Sequence, residues 1–249
     1  MGGVARRATV IEQVRESAEG PVLLVDAGGS LFGDALATQT EGRVSIAAMN
    51  AMGYDAMGLG VQDLSRGLQL VLDRAAEAAF PFVSVNMADA EGKLLFPAYA
   101  IVERGGLTWG IIGVSNVAIE NTAILAGAVR VLDPVEMLRL VVPELRGRVD
   151  VVVVLSSLGS TADKSVLERV DGIDIVVAGQ TRQLLRTHEM VGSAVLVQAG
   201  YDGEWLGRVD ARWTPAGLVE AQGSIINLTP EIADDAAMVD LVEGFRQGG

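Results

Sequence analysis

Val149-Asp150-Val151-Val152-Val153-Val154-Leu155, followed by Ser156-Ser157-Leu158-Gly159, decides the fold class. A short, nearly unbroken apolar run rich in β-branched side chains reads as a strand covered on both faces. It is far too short to cross a bilayer. After it, apolar spacing predicts a helix over 161–170. A second buried strand follows over 173–177 and ends in Ala178-Gly179-Gln180-Thr181-Arg182. Before it, residues 134–145 read as a helix with Asp133 as N-cap and Pro134 at the first helical position. Strand and helix alternate, the order of an α/β protein with parallel pairing.

The amino-terminal half repeats this order. Val4, Ala8, Ile11 and Val14 fall at helical spacing, and Gly20-Pro21 ends that helix. Residues 21–26 form a continuous apolar run that reads as a buried strand. A helix over 44–52 stops at Gly53, a strand follows over 54–59, a helix over 64–79 and a strand over 81–85. Residues 99–103 and 108–114 read as a β-hairpin across Gly105-Gly106. Residues 194–197, 205–213 and 217–226 read as antiparallel strands. Trp109 and Trp205 fall inside strand patterns and are expected to pack against the sheets. No Pro/Gly/Ser linker divides the chain, so residues 1–249 are expected to form one domain that closes with an acidic amphipathic helix over 231–247.

Composition excludes several function classes. The chain has 249 residues, 50% of them hydrophobic, enough to bury a core. Its 19 Lys+Arg against 32 Asp+Glu give a net charge of −13, which opposes binding to nucleic acid or to an anionic membrane. With no Cys there is neither disulfide nor thiolate chemistry, and the single His, His188, excludes a multi-His metal site within one chain. Met1-Gly2-Gly3 leads directly into a helical pattern with no signal-peptide character.

In open α/β sheets a site forms beyond the carboxyl ends of the strands. Four predicted strands here end in small polar loops: Asp26-Ala27-Gly28-Gly29-Ser30, Gly60-Val61-Gln62-Asp63, Ser156-Ser157-Leu158-Gly159 and Gly179-Gln180-Thr181-Arg182. Each alone is most simply a tight turn. Their convergence on one crevice makes them the candidate site. Local roles are the simplest reading for several members. Asp26 caps amides at its strand end, Asp34 caps a following helix and Asp63 sits where an N-cap belongs. His188 reads as a surface or capping residue. Ser30 and Ser157 lie in no nucleophile elbow, and His188 is distant in sequence from both.

The same stretches carry a family resemblance over about nine-tenths of the chain. Residues 2–9, Leu23-Leu24-Val25-Asp26-Ala27-Gly28, residues 48–57, residues 80–86, residues 109–114, residues 152–156, residues 172–179, Gln198-Ala199-Gly200 and Leu206-Gly207 resemble, in order, segments of the 5′-nucleotidase and UDP-sugar hydrolase branch of the calcineurin-like metallophosphoesterases. The resemblance implies an α/β/β/α sandwich of two mixed sheets flanked by helices, lacking the family's first strand. It also implies two divalent metal ions and phosphate-ester hydrolysis. The matching ligand positions depart from that pattern. Gly29 stands for the bridging Asp, Val61 for an Asn, Gln62 for the catalytic His, Ser157 for the mid-chain His, and Gln180 and Arg182 for the last two His. The family's D-x-H segment would precede residue 1. Its carboxy-terminal nucleotide-specificity domain has no counterpart in these residues.

Two metals held roughly 3.5–4 Å apart need a bridging carboxylate and neutral imidazoles. Gly29 and Val61 offer no donor atom, and Arg182 repels cations. The expectation is therefore a degenerate domain without catalytic residues, metal or cofactor, acting in binding or as a scaffold. A small anion or phosphate-containing ligand is expected at Arg182, Gln180, Gln62 and the amides of Gly28, Gly29 and Ser30. Arg182 is also expected to pair with a carboxylate such as Asp26 or Asp63. The alternative is a metal-dependent phosphoesterase with a site rebuilt from Asp26, Asp34 and Asp63. The resemblance implies an extracytoplasmic location.

Overall fold

A computed structural model of the chain describes residues 2–121, 123–125, 127–214 and 217–248. Met1 and Gly249, the ends of the expected domain, lie outside the described residues. Helix α1 (Val4–Ser17) leads to strand β1 (Val25–Asp26), helix α2 (Ala35–Gln39), helix α3 (Arg43–Met52) and strand β2 (Ala56–Met57). Helix α4 (Leu68–Glu77), strand β3 (Met87–Ala88) and the hairpin of β4 (Tyr99–Arg104) with β5 (Leu107–Val114) follow. Then come strand β6 (Arg130–Val131), helix α5 (Pro134–Arg146), strand β7 (Val151–Ser156), helix α6 (Ser160–Leu167) and strand β8 (Ile175–Ala178). The chain closes with β9 (Glu189–Val191), β10 (Ala194–Gln198), β11 (Trp205–Thr214), β12 (Gly217–Asn227) and helix α7 (Ala236–Gln247).

The deciding strand behaves as its sequence requires. Every residue of β7 is buried. Its even-numbered side chains, Val152 and Val154, pack with Leu138, Val142 and Val166 of α5 and α6. Its odd-numbered ones, Val151, Val153 and Leu155, face Ala56, Val83 and Trp109. It is central in a six-stranded sheet of order β4-β5-β7-β8-β10-β9. The inner pairs β5–β7, β7–β8 and β8–β10 are parallel, and the edges β4 and β9 are antiparallel. The expected hairpin of β4 and β5 is present, and Asp133 caps α5 by accepting the Glu136 N–H at 2.9 Å.

Helices α5 and α6 cover one face of this long sheet. The other face meets a second β-layer, and α1, α3 and α4 pack outside that layer. The architecture is the expected α/β one, with helices flanking mixed sheets. The second layer consists of two separate ribbons, parallel β1–β2 and antiparallel β11–β12, beside a short β3–β6 pair.

Several elements differ from their sequence expectation. The strand expected over 21–26 pairs only at Val25–Asp26 and is half-buried at Leu23 and Val25. The strand expected over 54–59 shrinks to β2, and 81–85 contributes only a bridge from Phe82 to Met57. The helix expected from Leu64 begins at Leu68, because residues 61–66 form turns that carry Asp63 inward. Strand β10 does not join β11 and β12 in an antiparallel set: it pairs parallel with β8 and antiparallel with β9 in the long sheet. The terminal helix begins at Ala236 because Asp235, accepting the Met238 N–H at 2.7 Å, caps it there.

Layers this close leave no room for added atoms. A Cβ on Gly113 in β5 would lie 1.9 Å from the carbonyl oxygen of Val83. Gly113→Ala must push two layers apart, and overpacking of this kind costs typically ~1–3 kcal/mol. The expected result is an unfolding free energy lowered by that amount, read as a lower urea midpoint with an unchanged slope. An unaltered midpoint would show that the layers are not in this register.

Candidate functional site

The four polar loops do converge. Residues of all four line one large cleft: Gly28, Gly29 and Ser30; Gly60 and Gln62; Ser157; Gly179, Gln180 and Arg182. The first two are locked together by Asp63. This fully buried carboxylate accepts the Gly29 N–H at 2.6 Å and the Gly60 N–H at 2.9 Å on Oδ2, and the Leu31 N–H at 3.1 Å on Oδ1. Asp63 is thus no helix cap; Gly67 stands at the start of α4. Glycine is required beside it. Gly28 has φ 98°, and a Cβ there would lie 2.5 Å from the Gly60 nitrogen.

Asp26 acts within its own loop, as expected of a strand-end cap. Its Oδ1 accepts the Gly28 N–H and its Oδ2 the Ser30 hydroxyl, both at 2.8 Å. Asp34 caps α2 through the Ala37 N–H at 2.7 Å. The three carboxylates therefore serve separate structural tasks and share no open coordination point. The amides of Gly28 and Gly29 are already bonded to Asp26 and Asp63. The anion cradle expected from these two amides is not available, because neighbouring carboxylates have taken the donors.

A polar floor lies beneath the loops. The Leu59 carbonyl accepts the hydroxyls of Ser157 at 2.8 Å and Ser115 at 3.1 Å. Asn86 bonds both backbone groups of Ser115 at 2.8 Å, and Ser84 meets Ser115 at 2.9 Å. Sequence reasoning passed over Ser84, Asn86 and Ser115 as site residues. Their signal was the polar alternation in Val83-Ser84-Val85-Asn86, inside an otherwise apolar run. Arg7, Tyr54 and Tyr201 also line this region without having been singled out. Burial pushes the Tyr54 hydroxyl above its usual range, and the opposing pull of Arg7 does not cancel it.

The fourth loop is open. Gln180, Thr181 and Arg182 are exposed, and Gln180 and Arg182 adopt left-handed φ values of 69° and 54°. Gln198 steadies the loop by donating to Thr181 Oγ1 at 3.0 Å and to the Gly179 carbonyl at 3.3 Å. Arg182 forms no ion pair with Asp26 or Asp63. Its guanidinium lies 5.2 Å from the centre of the Tyr201 ring, a cation–π contact at the cleft mouth. The expected carboxylate pair is absent: Asp63 is fully buried beneath the loops, Asp26 turns its oxygens to Gly28 and Ser30, and Arg182 lies exposed over Tyr201. His188 stands elsewhere, its Nδ1 accepting the Gly223 N–H at 3.1 Å.

The pair of metal ions that the resemblance implies does not fit these residues. Gly29 and Val61 have no donor, Gln62 is exposed, and Ser157 directs its hydroxyl at carbonyls. Among the described residues no group of three or more His, Asp or Glu is placed to hold a metal.

No family model matches the chain. It is 31% identical to the 5′-nucleotidase of Bos taurus over 94% of its own length and 45% of that protein. Its fold superposes on a 5′-nucleotidase precursor from Thermus thermophilus with a TM-score of 0.90 at 29% identity, covering 99% of this chain and 53% of that one. The calcineurin-like phosphoesterase YfkN from Bacillus subtilis gives a TM-score of 0.86 at 23% identity, covering 99% and 89%. The fold is therefore the one these phosphoesterase structures share. The chain is a homologue of the 5′-nucleotidases, and it spans about half the length of the curated nucleotidases it matches.

Two buried acids make stability depend on pH. Burial pushes both Asp63 and Asp163 up to about 6, against the bonds from Gly29, Gly60 and Leu31 in one case and from Ser156 in the other. A carboxyl raised in the folded state contributes full stability below its unfolded value near 4 and loses it as pH rises through 6. The loss is at most ~3 kcal/mol per group. Asp163→Asn cannot ionise. Its stability relative to the parent should therefore improve by roughly 2–3 kcal/mol from pH 4 to pH 7 in urea titrations. A pH-independent difference would mean that Asp163 ionises normally.

Proposed function

We propose that this chain is a non-catalytic binding or scaffold domain, a 5′-nucleotidase-like metallophosphoesterase fold whose di-metal site is degenerate. One observation carries the reading. The positions that match the family's ligands either lack a donor atom, as at Gly29 and Val61, or have their polar atoms directed elsewhere, as at Ser157. The remaining acids, Asp26 and Asp63, are tied to backbone amides and the Ser30 hydroxyl. We read the whole described chain as one domain, in keeping with cores that share residues of both halves.

The ligand we favour is a small anion or phosphate-containing molecule, held by the exposed Arg182 with Gln180 and Gln62 at the cleft mouth. Among the described residues this guanidinium has no carboxylate partner, which suits an anion. The acidity of the whole chain opposes nucleic acid as that ligand. No helix among the described residues is long and apolar enough to cross a membrane. The homology to 5′-nucleotidases supports an extracytoplasmic placement.

Two measurements test the proposal. Elemental analysis of the purified chain should find Mn, Zn, Fe and Co well below stoichiometric amounts, with no hydrolysis of p-nitrophenyl phosphate or 5′-AMP above background. A stoichiometric metal pair with chelator-sensitive activity would establish the hydrolase instead. Arg182→Ala should alter stability in anion-free buffer by less than ~0.5 kcal/mol, since it breaks no ion pair. It should abolish any rise in melting temperature that phosphate gives the parent. Equal stabilisation of both proteins by phosphate would remove Arg182 from the anion site.

A further inference from the structure

The site loops occupy only one end of a much longer cleft of ≈ 1240 Å³, which separates the two ribbons of the second β-layer. At the site end the wall carries a second cation besides Arg182. This is Arg7 of α1. The other arginines of this chain that are drawn out of water each pair with an acid. Arg6, Arg74, Arg146 and Arg208 are buried or half-buried, and they meet Asp234, Glu77, Asp174 and Asp210 respectively. Arg7 is half-buried as well, and among the described residues it forms no such pair. Its guanidinium is hydrogen-bonded to the side chain of Tyr54, which is buried and neutral. Asp26 lies within electrostatic reach, but its oxygens are turned to the Gly28 N–H and the Ser30 hydroxyl, both at 2.8 Å. A guanidinium keeps its charge in a protein. Burial opposes that charge here, yet Tyr54 and Asp26 outweigh it and hold Arg7 above its usual range. A cation taken from water without a counter-ion is costly, so this one is placed to meet an anion from outside the chain.

One turn joins this inner cation to the outer one. Residues 200–204 reverse the chain, with Gly200, Asp202 and Gly203 at left-handed φ values of 70°, 56° and 64°. The Gly200 N–H donates to the Gln183 carbonyl at 2.9 Å, which fixes the turn beside the loop of Arg182. At Tyr201 the ring of the turn lies against the Arg182 guanidinium. Two residues on, a Cβ at Gly203 would lie 2.3 Å from Nη2 of Arg7, so the turn closes on that guanidinium only because residue 203 is glycine. The two arginines therefore touch one short turn at neighbouring points, and both line the cleft.

We propose that the ligand of this site is a small molecule with two acidic groups, one held by Arg182 at the cleft mouth and the other by Arg7 inside. The proposal rests on the anion reading above and adds to it the charge pattern of the ligand. The two positions are unequal. Arg182 is exposed beside the uncharged Gln180 and Thr181. Arg7 has Asp26 within electrostatic reach, and that carboxylate repels an incoming anion. A molecule with a single acidic group therefore settles at Arg182. A second acidic group on the same molecule reaches Arg7 without a second loss of translational freedom. Its effective concentration there offsets the opposition of Asp26. Tyr54 acts as a positioning residue, because its buried hydroxyl fixes the direction of the Arg7 guanidinium.

The test compares alkylphosphonates with α,ω-alkanediphosphonates over a series of methylene spacers, by calorimetry and by NMR of the chain as it stands. At one spacer length the diphosphonate should bind about tenfold or more tighter than the monophosphonate of the same length. The diphosphonate should shift the side-chain Nε–H resonances of both Arg7 and Arg182, and the monophosphonate that of Arg182 alone. In Arg7→Gln the ratio of the two affinities should fall below roughly threefold, since the tethered group has lost its cation. A ratio near one at every spacer length, with the monophosphonate still bound through Arg182, overturns this proposal and leaves the anion site standing. The proposal is equally overturned if the high ratio survives Arg7→Gln, or if the bound diphosphonate leaves the Arg7 resonance unmoved. If neither compound binds, the anion reading fails and this proposal with it. The Arg7 resonance of the unaltered chain decides the matter should Arg7→Gln not fold.

Discussion

The candidate site depends on one buried carboxylate. Asp63 holds three backbone N–H groups from two loops that lie about thirty residues apart in sequence. Charge-assisted bonds of this kind contribute roughly 1.5–3 kcal/mol each. They offset the burial of an acid that would otherwise prefer water. The loop of Gly28, Gly29 and Ser30 can press against Gly60 only because Gly28 has no side chain. Beneath it, the Leu59 carbonyl gathers the hydroxyls of Ser115 and Ser157. Strand-end loops from both halves of the molecule are thereby fastened to one point.

That arrangement explains what the site can and cannot do. Asp26 turns both oxygens to donors of its own loop, and Asp63 is buried among N–H groups of two loops. Arg182 meets neither of them, and its guanidinium rests over Tyr201 at the cleft mouth. The interior of the site is thus bonded within the protein, and the positive charge of Arg182 faces outward. On the proposed reading, a fold shared with phosphoesterases here holds a ligand and does not organise two metals.

The cleft and the site belong to one structural fact, the division of the second β-layer. Apolar side chains of β1, β8, β10 and β11 face a gap instead of one another. The indole N–H groups of Trp109 and Trp213 are buried on this gap without a partner among the described residues. The site end of the gap is where Asp26 and Arg7 also line the wall.

The amino-acid sequence by itself determined the α/β class, the buried strand β7, the hairpin of β4 and β5, the caps of α2 and α5, and the four loops that meet at one end of the strands. It also carried the family resemblance and the loss of donor atoms at Gly29 and Val61. These features depend on residue type or on neighbours a few positions away, so periodicity and capping chemistry reveal them. Only the tertiary structure decided that Asp63 bridges loops and does not cap a helix, that the amides of Gly28 and Gly29 are occupied, and that Arg182 meets Tyr201. It alone showed that the apolar run 21–26 is half-open. Most of these rest on partners far away in the sequence, which periodicity and local capping chemistry do not report. A run of apolar residues states that a strand is fit to be buried; only the packed chain states what lies on its other side.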